Sequence, residues 1–303
     1  MKHVLRVTLL LLLIGLVMPL VAQEKTLTIG VDQEAIGLDP HIVTAFSSHR
    51  RIDLLYNKLV RHDEDLKIVP DLAESWEIPN NTTYIFNLRK GVKFHNGIEL
   101  TADDVIFSLN RILDPKTAAP GRSYITSIKS MEAISPYQVK ITLSAPLASF
   151  LEGLSSNNCA IVSKAAVEQY GNLQKVEVGT GPFILKEWIP DNSMTLVKNS
   201  NYFDKGLPYL DKVIFRVIPE QASLFAGVKS GTLDIAQIND GSTVLLAKRD
   251  PNLIVMQKPG INLRTFGFNV TRKPFDDERV RQAISLAIDR NEIIAAAEFG
   301  MAQ

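Results

Sequence analysis

The sequence contains almost no cysteine: Cys159 is the only one in 303 residues. A single thiol cannot form an internal disulfide, so burial and hydrogen bonds must hold the fold together. Lone cysteines are usually small buried apolar residues rather than nucleophiles, and we expect this of Cys159.

The chain also lacks an excess of charge of either sign. Its 33 Lys and Arg residues match its 33 Asp and Glu residues, which gives a formal net charge of zero. No stripe of basic residues is present, so we expect no nucleic-acid partner.

Signatures of catalysis and of metal or cofactor binding are missing as well. There is no G-x-S-x-G, H-E-x-x-H or C-x-x-C motif. His41, His49 and His62 share no metal-ligand spacing. Paired carboxylates occur at Asp103-Asp104 and Asp276-Asp277, but both pairs stand at predicted helix starts, where the helix dipole explains them. The sequence therefore predicts no enzyme activity, no metal site and no cofactor.

A long hydrophobic run occurs only at the N-terminus. Residues 1–22 combine a short basic start with an apolar core over 7–18, the pattern of a secretory signal peptide cleaved after Ala22. The alternative is a membrane anchor, but about a dozen apolar residues is short for a bilayer that needs ~20. No cysteine near the junction offers a lipid anchor, so we expect an exported protein that is free in solution.

Clear local patterns lie in the first half of the chain. Alternating apolar residues predict a half-buried strand over 83–88, and 91–97 is predicted to be a second strand that ends in an Asn-Gly turn. Thr101 and Asp104 have the spacing of a capping box, which predicts the helix that follows them.

Alternation and helical spacing predict further elements. Strands are expected at 25–31, 139–143, 194–198, 213–218 and 234–236, and helices at 51–60, 161–170 and 219–229. Gly231 stands where the last of these helices needs a C-cap. Gly179 and Gly181 have no helix after them, which favours a tight backbone crossing over a phosphate-binding loop.

The C-terminal stretch has the pattern of one strand and two helices. Phe266 and Phe268 alternate with polar residues, and Asp276 is the expected N-cap of the first helix. Its apolar face consists of Val280, Ala283, Ile284, Ala287 and Ile288. Asp289 and Glu292 predict a capping box for the second helix.

A length of 303 residues is typical of about two domains.

Three groups of motifs carry a family resemblance. They are LAESWE…YIFNLRKGVKFHNGIELTADDVIFSLNR in 72–111, GTGPF…W…KNSNYF…LDKVIFRVIP…LFAGVKSGTLDIA in 179–236, and Asn269, Pro274-Phe275-Asp276, VRQAI and AIDR in 269–290. In this order, over about residues 27–294, they resemble the bacterial extracellular solute-binding proteins of family 5, which serve peptide and nickel ABC transporters.

The resemblance implies an α/β fold of the periplasmic-binding-protein type, with two lobes (type II) and an extra subdomain in lobe one. Lobe one would contain residues 23–57 and 178–260, the extra subdomain 58–177, and lobe two would start over 261–303. In the family the chain continues for about as long again, so we expect a C-terminally truncated member whose second lobe is mostly missing.

The function implied by the resemblance is that of a periplasmic substrate-binding component of an ABC importer. Its partners would be a small solute and the permease subunits, and it would act as a monomer. Di- and oligopeptides are the favoured solutes, while nickel chelates and oligosaccharides stay open. The alternative is a truncated product that binds no ligand by itself, since much of the second wall would be missing.

Several residues are predicted by position in the family to face the solute. Asn157 and Asn158 are also compatible with ordinary turn chemistry, and the loop over 43–48 is the first ligand-facing segment. The predicted set is Phe46, Ser47, Tyr124, Asn157, Asn158, Asn239 and Asn269.

Overall fold

The structure is a computed structural model that describes residues 24–257, 265–297 and 299–300. The predicted signal peptide, residues 1–22, lies outside the described residues. In the described ranges, no helix is long and apolar enough to cross a bilayer.

The described residues form both strands and helices. The strands are β1 (Thr26–Val31), β2 (Val60–His62), β3 (Ile68–Pro70), β4 (Ala73–Asn80), β5 (Thr83–Leu88), β6 (Ile128–Ser135), β7 (Gln138–Leu143), β8 (Phe183–Ile189), β9 (Ser193–Lys198), β10 (Lys212–Val217) and β11 (Ile235–Ala236). The α-helices are α1 (Phe46–Leu55), α2 (Ala102–Leu113), α3 (Arg122–Ile125), α4 (Phe150–Leu154), α5 (Lys164–Tyr170), α6 (Gln221–Ser230), α7 (Gly241–Lys248), α8 (Glu278–Ala287) and α9 (Arg290–Ala297). The helix predicted at 51–60 therefore lies earlier, at 46–55, and the one predicted at 161–170 begins later, at 164.

A five-stranded sheet has the order β11-β1-β10-β9-β8. β1 pairs in parallel with β10 and β11, whereas β9 pairs antiparallel with β10 and β8. The helix α6 packs closely on one face, because a Cβ on Gly30 would lie 2.6 Å from the side chains of Leu224 and Leu233. The helix α1 covers the other face, where the Arg51 guanidinium lies 4.5 Å from the centre of the Phe215 ring.

A four-stranded antiparallel sheet has the order β4-β5-β7-β6. The predicted alternation of β5 is confirmed, since Tyr84, Phe86 and Leu88 are buried. The predicted capping box of α2 is also confirmed, with reciprocal bonds between Thr101 and Asp104. α2 packs on β6 and β7, and its apolar face is part of a buried cluster that continues into the five-stranded sheet. The two sheets therefore share one core.

The glycine pair between the sheets is a tight crossing, as predicted. A Cβ on Gly179 would lie 1.9 Å from the carbonyl oxygen of Leu55, and one on Gly181 would lie 2.4 Å from its carbonyl carbon. Only glycine allows the chain to pass so close to the end of α1. The predicted glycine C-cap of α6 is also present, with Gly231 at φ 74°.

Two predicted strands are wrong. Residues 91–97 form a turn with a single bridge between Lys93 and Glu99, because Asn96-Gly97 reverses the chain before a ladder can develop. Residues 265–269 form no strand either, and Phe266 is 73% exposed. An alternating segment becomes a strand only where another strand supplies hydrogen bonds, and no described residue does so here.

Both predicted C-terminal helices are present, but the first has a different cap. Asp277, not Asp276, is the N-cap of α8 and accepts from the Arg279 N–H at 2.9 Å, because Asp276 is still part of the preceding turn. Asp289 accepts from the N–H groups of Asn291 and Glu292, as expected of a cap. No residue of α8 is buried, so its apolar face has no full cover among the described residues.

A buried ion pair joins distant parts of the chain. Both guanidinium NH₂ groups of Arg111 on α2 donate to the Asp39 carboxylate, at 2.9 and 2.7 Å. The backbone N–H groups of Leu173 and His41 donate to the same carboxylate. Burial opposes ionisation of Asp39, but the hydrogen bonds and charge of Arg111 outweigh it and hold the pKa of that carboxyl below its usual value.

His41 completes this network as a neutral imidazole. Its Nε2 lies 2.9 Å from the carbonyl oxygen of Ala160, which can only accept, so Nε2 carries the proton. Its Nδ1 then accepts from Arg111 at 2.8 Å. Burial and the Arg111 charge lower the pKa of His41 to about 4.

Removing the carboxylate should strongly destabilise the protein. Asp39→Asn leaves Arg111 buried without its counter-charge, so we expect a loss of about 3–5 kcal/mol in the free energy of unfolding at pH 7. Urea denaturation followed by circular dichroism measures it. The control is Asp53→Asn, which removes a 52% exposed partner of Lys58 and should change stability by less than ~1 kcal/mol. Equal losses for the two variants would contradict the role of the buried pair.

His41 should make stability depend on pH. Unfolded His41 binds a proton below about pH 6.5, whereas the folded residue does so only below about 4. Stability should therefore fall as pH drops through this window, by roughly 3 kcal/mol from this residue. Denaturation curves from pH 7 to 4 measure the loss, and His41→Gln should remove this part of it. The same pH slope in both proteins would refute the assignment.

Candidate functional site at the carboxyl edge of the five-stranded sheet

The carboxyl ends of three parallel strands meet at one edge of the five-stranded sheet. β1 lies between β10 and β11 and runs in the same direction as both. In open α/β sheets ligands bind in the crevice outside the carboxyl ends of such strands. The loops that follow β1 and β11, together with the start of α1, form this edge and make it the candidate site.

The loop after β1 is held by side chains from three other segments. Ser48 accepts from the Ile36 N–H at 3.0 Å, and the Trp188 indole N–H donates to Glu34 at 2.6 Å. The Asn239 amide donates to Asp32 at 2.7 Å and so joins this loop to the one that follows β11. The edge is therefore braced by contacts within the chain itself.

Arg51 holds the loop and the helix together from inside. Its side chain is almost fully buried and donates to the carbonyl oxygens of Ser47 and, at 3.4 Å, Gln33. Its guanidinium also lies over the ring of Phe215 on β10. Burial lowers the pKa of Arg51 to about 10, so it stays charged at neutral pH and keeps its hydrogen bonds.

The first turn of α1 faces this edge without a cap. Its N-cap, Ala45, supplies no side-chain acceptor, and no acidic residue lies in the first turn. Unpaired N–H groups and the helix dipole at such an end favour an anionic group. Phe46 is 71% exposed and Ile36 is 67% exposed, so apolar surface stands beside this end.

An apolar cavity of about 470 Å³ lies under α1 at the same part of the sheet. Ile29, Phe215 and Ile235 are register partners on adjacent strands and form a continuous apolar row. The polar side chains of Arg50 and Gln237 also line the cavity. Its lining suits an apolar group with a polar end.

Three of the predicted solute-facing residues lie at this edge. Phe46 and Ser47 are in the first turn of α1, and Asn239 is in the loop after β11. Phe46 is exposed, whereas the Ser47 side chain is buried. Asn239 is exposed and bonded to Asp32. Whether they contact a solute stays a prediction.

The other four predicted residues are held by different elements. Tyr124 is 47% exposed on α3, and Asn158 is buried with its amide donating to Pro40 and Val43. Asn157 accepts from Lys58 at 2.8 Å and lines a separate cavity. Asn269 caps a turn by accepting from Thr271. Asn157 and Asn158 therefore bond to the segment around the start of α1, at the carbonyls of His49, Pro40 and Val43. Tyr124 and Asn269 make no side-chain hydrogen bond to the carboxyl edge among the described residues.

Sequence reasoning missed the residues that brace the edge. Arg51 lies on the buried face of α1 with Ile52 and Leu55. A charged residue on an apolar helical face is unusual, so the sequence contained a signal that could have identified Arg51. The bonds of Trp188 to Glu34 and of Asn239 to Asp32 join residues 154 and 207 positions apart. Local spacing carries no signal for such pairs.

Among the described residues, the side-chain types that bind metals or act as nucleophiles do not cluster at this edge. Among the described residues, no three His, Cys, Asp or Glu side chains come together as metal ligands. Cys159 is buried, as predicted, and burial raises the pKa of its thiol to about 12. It stays protonated at neutral pH.

Comparison with known proteins places the chain in a family. The family model described as bacterial extracellular solute-binding proteins, family 5 Middle, matches residues 67–303. The heme-binding protein A of Haemophilus influenzae is 32% identical over 291 residues, which cover 88% of this chain and 53% of that protein. The glutathione-binding protein GsiB of Escherichia coli is 31% identical and covers 92% of this chain and 55% of its own length.

A solved structure has the same fold. The periplasmic binding protein DppA of Helicobacter pylori, in complex with the peptide STSA, superposes with a TM-score of 0.82 at 31% identity, covering 92% of this chain and 59% of that one. The predicted α/β fold of the periplasmic-binding-protein type is thus confirmed. The chain spans about half the length of the curated relatives it matches. It belongs to family 5 of the bacterial extracellular solute-binding proteins.

Proposed function

We propose that this protein captures a small solute outside the cytoplasm for an ABC importer, and that its solutes are di- and oligopeptides. The observation that carries the proposal is the braced, uncapped carboxyl edge in a chain of this family. A peptide offers both a terminal carboxylate for the start of α1 and side chains for the apolar surface of Ile36 and Phe46.

The named ligands of relatives support peptides without deciding among solutes. The Helicobacter structure holds the peptide STSA, and the Escherichia relative is named for glutathione, itself a small peptide. The Haemophilus relative is named for heme. Membership in the family therefore leaves the solute open, and the preference for peptides rests on the chemistry of the edge.

We propose the following division of the chain. Lobe one, residues 23–57 and 178–260, is supported by the five-stranded sheet, whose strands all lie in these ranges. The extra subdomain, residues 58–177, is supported by the four-stranded sheet and the small β2–β3 sheet. Lobe two would begin at 261, and in two-lobed proteins of this kind a hinge closes the lobes over the ligand.

The carboxyl edge supplies one wall of such a site. Binding pockets gain affinity by enclosing most of the ligand between convergent polar groups. No residue of α8 is fully buried, so we infer that a second wall is not complete within the described residues. Losing three polar contacts of ~1.4 kcal/mol each weakens binding about a thousandfold. We therefore propose weak binding or none for these residues alone, which is the alternative to full solute capture.

We also propose a location, an oligomeric state and partners for the protein. The family implies a protein outside the cytoplasm, in the periplasm, delivered there by the signal peptide predicted in residues 1–22. It would act as a monomer and hand its solute to the permease subunits of an importer.

An NMR titration tests both the site and the solute class. The chain from Gln23 to Gln303, labelled with ¹⁵N, should respond to Met-Leu and to a tetrapeptide by shifts in residues 32–36, 45–48 and 237–242. Saturation should require more than ~1 mM peptide, because one wall is engaged. The peptide amides, which lack the free carboxylate, should shift these signals less.

Three outcomes would count against the proposal. Shifts confined to other surfaces would remove the carboxyl edge as the binding wall. Equal shifts with a nickel–histidine complex or an oligosaccharide would remove the preference for peptides. Tight, saturable binding of a peptide in the micromolar range would refute the argument that these residues supply only one wall.

Arg51 should be needed to hold the loop after β1 and the start of α1 in place at the carboxyl edge. Arg51→Met keeps the apolar stem but leaves the carbonyls of Ser47 and Gln33 without their donor, at about 1–3 kcal/mol for each unsatisfied group. We expect a lower melting temperature and faster amide hydrogen exchange in residues 33–36 and 46–48. Arg50→Met, on the partly exposed side of the same helix, is the matched control. Equal exchange in both variants would contradict the bracing role.

A further inference from the structure

A second cavity, of about 550 Å³, lies beside α1 and is lined mainly by polar residues. α1 contributes Asp53 to this cavity, whereas Arg50 and Leu54 line the apolar one. The two cavities share no lining residue. The polar cavity is unexplained by solute capture at the carboxyl edge, and its lining residues all lie between 53 and 207.

The floor of the polar cavity is a closed hydrogen-bond network. Asp71, only 4% exposed, accepts from the Asn57 amide and from the Lys58 N–H, both at 2.8 Å. The Asn57 carbonyl in turn accepts from Thr180 at 3.1 Å. Such a floor is rigid, and its carboxylate is already satisfied.

Two more charges on the rim are also paired. The Lys58 ammonium contacts Asp53 at 3.1 Å and Asn157 at 2.8 Å. His62 lies 2.9 Å from Glu152. These groups shape the cavity, but their principal hydrogen bonds are made within the protein.

Two guanidinium groups, by contrast, keep donors for a ligand. Arg89 is held in place by its Nε–H, which donates to the Asp71 carbonyl at 2.7 Å, and by the Phe203 ring 5.4 Å from its guanidinium carbon. Its two terminal NH₂ groups have no partner among the described residues. Arg61 makes only a 3.5 Å contact, to the His62 carbonyl.

The unused N–H donors of the two guanidinium groups favour an anion. Arg61 and Arg89 line the cavity together with Asp204, an exposed carboxylate without a salt bridge among the described residues. The Asp71 carboxylate adds a second negative charge to the lining, but its oxygens already accept from Asn57 and Lys58. The hydrogen-bonding groups still free for a ligand are therefore mainly guanidinium donors. Guanidinium forks match the geometry of carboxylate and phosphate oxygens.

We propose that this cavity is a binding site for a small oxyanion, a carboxylate or a phosphate, held by Arg61 and Arg89. Its volume falls in the range of about 300–1,000 Å³ that small-molecule sites occupy. The Arg89 fork is pre-oriented by Phe203 and Asp71, so a ligand does not have to order it. The site is complete within the described residues and is independent of the proposed solute capture.

Titrations of the same chain with inorganic phosphate and with succinate, at constant ionic strength in chloride, test the proposal. We expect saturable binding of at least one of the two, with a Kd of ~1 mM or tighter. The Arg89 Nε–H signal in ¹⁵N spectra should shift on binding, because that group borders the ligand. Binding of phosphate alone assigns the site to phosphates, and binding of succinate alone assigns it to carboxylates.

Two variants and a matched control locate the binding. Arg61→Gln should weaken it about tenfold or more, and this exposed side chain is not needed for folding. Arg89→Lys keeps the charge but loses the fork, and should also weaken binding. Arg249→Gln removes the same charge from the exposed end of α7 and should leave Kd unchanged within about twofold.

The proposal is overturned by any of three results. These are an absence of saturable binding to either anion, an unmoved Arg89 Nε–H signal during saturable binding, and equal weakening by Arg61→Gln and Arg249→Gln. A melting curve of each variant shows that the comparison is made between folded proteins.

Discussion

The constraint on which the rest of the structure depends is the burial of the Asp39 carboxylate. It accepts from Arg111, 72 positions later, and from the Leu173 N–H, 134 positions later. An unpaired carboxylate would be too costly to bury, so these segments must converge on the loop that enters α1. The convergence fixes α2, and with it the four-stranded sheet, against the part of the chain that contains β1 and the five-stranded sheet.

The helix α1 is held in position by this convergence. Its buried side contacts the five-stranded sheet through Arg51, and its last turn is approached closely by Gly179 and Gly181. Its first turn presents uncapped N–H groups at the carboxyl edge. Since the helix is fixed at both ends, the loops bonded to it are fixed as well.

Sequence alone predicted the parts of this arrangement that depend on neighbours in the chain. The alternation of β5 and the capping box at Thr101 are local, and both are present. The strand expected at 265–269 failed because alternation predicts a strand only where a partner strand exists. The candidate residues Asn157 and Asn158 were found by position, but their bonds to Lys58 and Pro40 show contacts that spacing does not encode.

The carboxyl edge and the helix α8 differ in how far each is held by contacts within the chain. This difference bears on how the proposed solute would be held. At the carboxyl edge, the loops are held by hydrogen bonds from Ser48, Arg51 and Trp188, which the chain itself supplies. Binding energy is then not consumed in ordering this wall. At α8, the apolar positions Val280 and Ile284 are only half-buried, and no residue of the helix is fully buried. A rigid wall determines where a solute rests, but enclosure determines how tightly it is held. If the proposed function holds, selectivity for the carboxylate end of a peptide would therefore reside in residues 32–48, while affinity would depend on the surface that closes over them.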